Sequence, residues 1–62
     1  MRLPKLDLSI LAKISKQGDL GLEKWYEVVC YHDNKWHSFA GSETFNHGEQ
    51  VVEWAYCIDL FN

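Results

Sequence analysis

Cysteine and histidine are the residues of this 62-residue chain best suited to chemistry, and Cys30, His32, His37, His47 and Cys57 are all of types that bind zinc. Their spacing is poor for it. Cys30-Tyr31-His32 lacks the usual gap of about two to four residues through which a tight turn presents two ligands, although residues i and i+2 of a strand do share a face. His37 comes opposite Cys30 only if the chain reverses at Asp33-Asn34, and a buried cysteine packed as a small hydrophobe accounts for Cys30 equally well. No metal ligand set is assigned. A cysteine nucleophile needs a low-pKa thiolate beside a base in a cleft, and Cys30 with His32 or His37 is the one arrangement available in a domain with little room for a pocket. Glu49 and Glu53, one helical turn apart, read as a solvated face and not as an acid–base pair. Gly18, Gly21, Gly41 and Gly48 match neither nucleotide-binding fingerprint. The expectation is a protein that is not an enzyme and carries no cofactor.

The elements that would position these residues belong to one domain, residues 1–62. A chain of this size buries only roughly 60% of the surface its unfolded form exposes, so every large side chain counts. Hydrophobic residues make up 47% and aromatics 15%, enough for a core and too much for disorder. The distribution is uneven. All the aromatic residues lie from Trp25 onward, and so do both cysteines and all the histidines. Five basic and three acidic residues precede Trp25, whereas one basic and six acidic residues follow from there, for a net charge of −3. That balance disfavours phosphate backbones as direct partners of the acidic body. Neither the apolar run of a signal peptide nor a stretch approaching about 18 apolar residues is present, which points to a cytoplasmic protein, away from membranes and with reduced thiols.

Leu6, Ile10, Leu11 and Ile14 recur at helical spacing, with Asp7 or Ser9 as an N-cap and Gly18 beyond, and predict an N-terminal helix over 7–17. The β-branched and aromatic run from Trp25 to His32, the turn residues Asp33-Asn34 and the return from Lys35 predict a β-hairpin over about 24–40. Residues 47–60 fit two patterns. Val51, Trp54, Ala55 and Ile58 form a helical stripe, and Asn46 with Glu49 suits a capping box, so a C-terminal helix and an α+β fold are expected. The alternative is a strand there, giving a helix plus a three-stranded antiparallel sheet.

A two-residue turn at Asp33-Asn34 sets the register: His32 faces Lys35, Tyr31 faces Trp36, Cys30 faces His37, Val28 faces Phe39 and Glu27 faces Ala40. Tyr26, Val28, Cys30 and Phe39 then share one face, which the N-terminal helix covers. Trp25, Glu27, Val29, Tyr31, Trp36 and Ser38 share the other, which nothing covers. Tryptophan and tyrosine dominate interface energetics, and acidic rims steer a protein towards basic partners. Trp25, Tyr31 and Trp36 with Glu27, Asp33 and Glu43, and the acidic residues Glu49 and Glu53, are therefore the candidate partner-binding set. Filling a small core is the competing role for the aromatics, and a homodimer through the same hairpin face is the competing use of the surface.

Ser42-Glu43-Thr44-Phe45, followed by Val51-Val52-Glu53-Trp54-Ala55-Tyr56, resembles the sheet-to-helix passage of small phage-encoded host-takeover proteins, among them inhibitors of bacterial RNA polymerase. Anti-CRISPR proteins share the size and acidic character. The resemblance covers about 15 residues and implies a class that occupies a functional, often nucleic-acid-facing surface of a larger machine. The function expected from it is non-catalytic inhibition, in a bacterial host cell, by an acidic module seated on a basic surface of a protein complex.

Overall fold

The computed structural model describes residues 2–38 and 48–61, which form one four-stranded antiparallel sheet. Its strands are β1 (Ile10–Gly18), β2 (Gly21–His32), β3 (Lys35–Ser38) and β4 (Gln50–Tyr56), in the spatial order β3-β2-β1-β4. A single 3₁₀ turn, Cys57–Asp59, follows β4.

Neither expected helix forms, and the α+β fold is replaced by an antiparallel sheet. The segment expected as the N-terminal helix is β1, a central strand. Its inward residues are Ile10, Ala12 and Ile14, which alternate with Leu11, Lys13 and Ser15 at the strand period of two. Ala12 carries too little side chain to announce that alternation, so Ile10, Leu11 and Ile14 read as a helical stripe. The expected C-terminal helix over 47–60 is β4 with its 3₁₀ turn, and the strand alternative was right in type for 50–56. A β-bulge explains the false stripe. The β1–β4 register shifts between Lys13 and Ile14, whose partners are Glu53 and Val51, leaving Val52 as the extra residue. Val51 and Trp54 consequently lie on one face at a spacing of three, which imitates a helix.

The β2–β3 hairpin forms in the expected register, with His32 opposite Lys35, Tyr31 opposite Trp36 and Cys30 opposite His37. Asp33 and Asn34 adopt φ of 53° and 62°, the two positive values of a type I′ turn. The pairings expected for Phe39 and Ala40 lie outside the described residues. Asn34→Gly removes the Cβ from a left-handed position that costs most L-residues roughly 1–2 kcal/mol, and asparagine less. It is expected to stabilise the protein by about 0.5–1 kcal/mol, read as a raised urea midpoint at unchanged slope, whereas Asn34→Val should lower the midpoint. The β1–β2 hairpin reverses at Asp19-Leu20 instead, and there Gly21 takes the positive φ, 128°.

Register assigns every strand residue to one of two faces. The inner face carries Ile10, Ala12, Ile14, Val29 and Val51, all buried, with Trp25, Tyr31, Trp36, Trp54 and Tyr56 packed against them. The outer face carries Leu11, Lys13, Leu22, Lys24, Tyr26, Val28, Cys30, His37, Glu53 and Ala55. The sheet is curled about the inner face. Trp36 and Trp54 stand on the two edge strands, which in a flat sheet lie about 14 Å apart, three strand spacings; their ring centroids are 6.3 Å apart. Tyr31 meets Trp36 edge-on at 4.8 Å and Tyr56 meets Trp54 at 4.9 Å, so a chain of aromatic rings roofs the aliphatic centre.

Residues ahead of β1 fasten to the β4 end of that roof. The Trp54 indole N–H donates to the Arg2 carbonyl at 2.8 Å, and the Arg2 guanidinium lies 4.6 Å from the Trp54 ring centroid. The backbone N–H groups of Lys5 and Leu6 both donate to the Tyr56 hydroxyl at 3.0 Å. The leader therefore does not lie as a helix on the outer face.

Candidate functional site

The residues expected to bind a partner do not share one surface. Trp25, Tyr31 and Trp36 are half-buried and belong to the inner-face roof. Trp25 directs its Nε1–H to Glu27 Oε1 at 3.3 Å, which draws Glu27 along the inner face and not to an outer rim. Asp33 projects from the turn with its side chain 89% exposed, 3.3 Å from the His32 Nδ1. Glu53 lies on the outer face opposite Lys13, and Glu49 precedes β4, half-buried. Glu43 lies outside the described residues, as do His47, Asn46 and the stretch 42–45.

The outer face exposes a row of large apolar side chains. Along β2, Leu22 is 59% exposed, Tyr26 65% and Val28 42%. Beside them a shallow depression of about 170 Å³ is lined by Leu11, Lys13, Tyr26, Glu53, Trp54, Ala55 and Leu60. Sequence reasoning placed Tyr26 and Val28 on one face correctly and then covered that face with a helix. Because the leader enters the sheet as β1, nothing of it remains to lie across β2. Alternation along β2 was the signal for these residues.

Charge is segregated between the faces. Lys13, Lys24 and Lys35 occupy outer positions with Glu53 as the acidic strand residue among them, while Glu23 and Glu27 occupy inner positions with Lys16. The Lys13 ammonium stands 6.0 Å from the Tyr26 ring centroid, at the edge of cation–π range. An acidic chain thus carries a locally cationic, apolar face.

Cys30, His32 and His37 are also outer-face residues, near the turn end of the ribbon. Both cysteines are free thiols. Among the described residues no group of three or more His, Cys, Asp or Glu side chains is placed to hold a metal ion. Nor is any helix among them long and apolar enough to cross a membrane.

The fold and its surface define a class, a small curled antiparallel sheet with an aromatic inner face and an outer face that, among the described residues, exposes Leu22, Tyr26 and Val28 beside lysines. Comparison with protein-family models, with curated proteins and with solved structures finds no match that would narrow it further.

Proposed function

We propose that the protein is a non-catalytic protein-binding module whose outer sheet face docks on a partner presenting apolar and acidic side chains. The observation that carries this reading is the row Leu22, Tyr26 and Val28, all substantially exposed, set among Lys13, Lys24 and Lys35. Exposed tyrosine with flanking apolar surface is the composition of an interface centre, and lysines around it select a partner of opposite charge. The net charge suggested a basic partner; the face with the apolar row favours an acidic one. Such a module acts by occupancy, as an inhibitor of a larger protein complex does.

The test is affinity capture from bacterial lysate followed by quantification of each retained protein against surface variants. Tyr26→Ala is expected to reduce retention of the specific partner by about tenfold or more, the loss of an interface hot spot. Lys13→Glu with Lys24→Glu should abolish it, and rising salt should weaken the wild-type complex. A partner held equally by all three proteins would remove the outer face from the interaction. Because Tyr26 is 65% exposed, the variants should keep the wild-type melting profile.

A further inference from the structure

His37 is 7% exposed, and its Nδ1 is a buried side-chain nitrogen with no hydrogen-bond partner. Its other nitrogen, Nε2, lies 3.3 Å from the main-chain carbonyl oxygen of His32. A carbonyl only accepts, so Nε2 must carry the proton of the neutral ring, and Nδ1 is left as a bare lone pair. An imidazole that donates one N–H to a backbone carbonyl and keeps the opposite nitrogen unprotonated has the arrangement found in metal-binding histidines. A buried acceptor without a partner is destabilising, and an added ligand would recover that cost.

Cys30 stands directly across from His37 in the β2–β3 register, on the same face, with a half-buried free thiol. The β-carbons of facing residues are about 5 Å apart. Side chains that rise side by side from one face at this spacing can present a thiolate and an imidazole to one metal ion. The His32 ring stacks on His37 with centroids 3.8 Å apart and planes within 2°, and His32 turns its own Nδ1 to Asp33.

We propose that Cys30 Sγ and His37 Nδ1 form a two-coordinate site for a soft monovalent cation, of which Cu(I) is the biological form. Two ligands are too few for zinc, which takes four, whereas Cu(I) accepts linear two-coordination and is selected by thiolate. Charge agrees with that choice. On binding, the Cys30 thiol releases its proton to solvent and the sulfur–metal bond forms, so thiolate and monovalent cation cancel and no net charge is added beside Lys35. No electron is transferred.

The experiment is competition for Cu(I) against the chromophoric chelator bicinchoninate under anaerobic conditions, in a Cys57→Ser background so that one thiol remains. One equivalent of Cu(I) with release of one proton is the expected result, together with a raised melting temperature, since the metal binds the folded form. His37→Gln should weaken binding by about 10–100-fold, and Cys30→Ser should abolish it. His32→Gln should hold Cu(I) within about threefold, because only the backbone carbonyl of that residue is used. Equal affinity in the His37→Gln protein would mean an ordinary thiol and would overturn the site. So would a complex of one Cu(I) shared by two chains. These outcomes do not depend on the outer-face partner, whose capture is read separately.

Discussion

Ile14→Ala is expected to abolish the folded state at 25 °C, seen as loss of the near-UV aromatic signal and of cooperative melting. Ile14 is fully buried, with Trp25 across from it on β2 and Val51 on β4. Among the described residues it is one of five buried hydrophobic residues that form the core cluster. Truncating a buried isoleucine to alanine costs about 2–5 kcal/mol, part transfer and part cavity. A single core in a chain below about 70–80 residues rarely supplies more than roughly 3–5 kcal/mol, so the loss is comparable to the whole. Ile14→Val, at about 0.5–1.5 kcal/mol, should leave a folded protein melting several degrees lower. A cooperative transition within a few degrees of wild type for Ile14→Ala would place the stabilising contacts elsewhere.

The hairpin was legible in the sequence because its determinants are local. Asp33 and Asn34 tolerate positive φ, the loop is two residues long, and those facts alone fix which residues of β2 and β3 face each other. The determinants of β1 and β4 are not local in that sense. In β1 the inward alternation runs through Ala12, whose small side chain carries little hydropathy signal but leaves room for the neighbouring roof of rings. In β4 the bulge at Val52 moves Val51 into phase with Trp54 and breaks the strand period where it would have been read. Both segments contain enough evidence for a strand once a partner strand is given, and too little without one. Pairing supplies what propensity lacked.

Misreading those strands also inverted the candidate surface. With helices on both flanks, the face bearing Trp25, Tyr31 and Trp36 had no cover and looked like the interface. With β1 and β4 in the sheet, the same face gains Ile10, Ala12, Ile14, Trp54 and Tyr56 and becomes the interior. The division of β2 into two faces was right and the assignment of inside and outside was reversed. Net charge misled in a similar way. It sums over both faces, and only the fold shows that three of the lysines stand with Tyr26.

The closure of the aromatic roof is open to a direct energetic test, because it predicts coupling between residues on opposite edges of the sheet. Trp54→Ala should cost about 3 kcal/mol or more, since it removes a large half-buried ring, the hydrogen bond to the Arg2 carbonyl and the surface under the Arg2 guanidinium. Trp36→Ala removes the ring that meets Tyr31 and Trp54. Each variant alone brings so small a domain close to unfolding, so the cycle is best measured in the Asn34→Gly background at low temperature, with Leu in place of Ala where needed to retain a folded baseline. Aromatic pairs in this geometry couple by about 0.5–1.5 kcal/mol. Side chains more than about 7–10 Å apart with no shared partner add to within roughly 0.3–0.5 kcal/mol. In a flat sheet Trp36 and Trp54 would fall in the second category, separated by β1 and β2. A coupling energy near 1 kcal/mol in the denaturation of the double variant therefore requires the curl that brings β3 and β4 together over Ile10, Ala12 and Ile14. Strict additivity would open the roof, and with it the account of why Trp25, Tyr31 and Trp36 face inward.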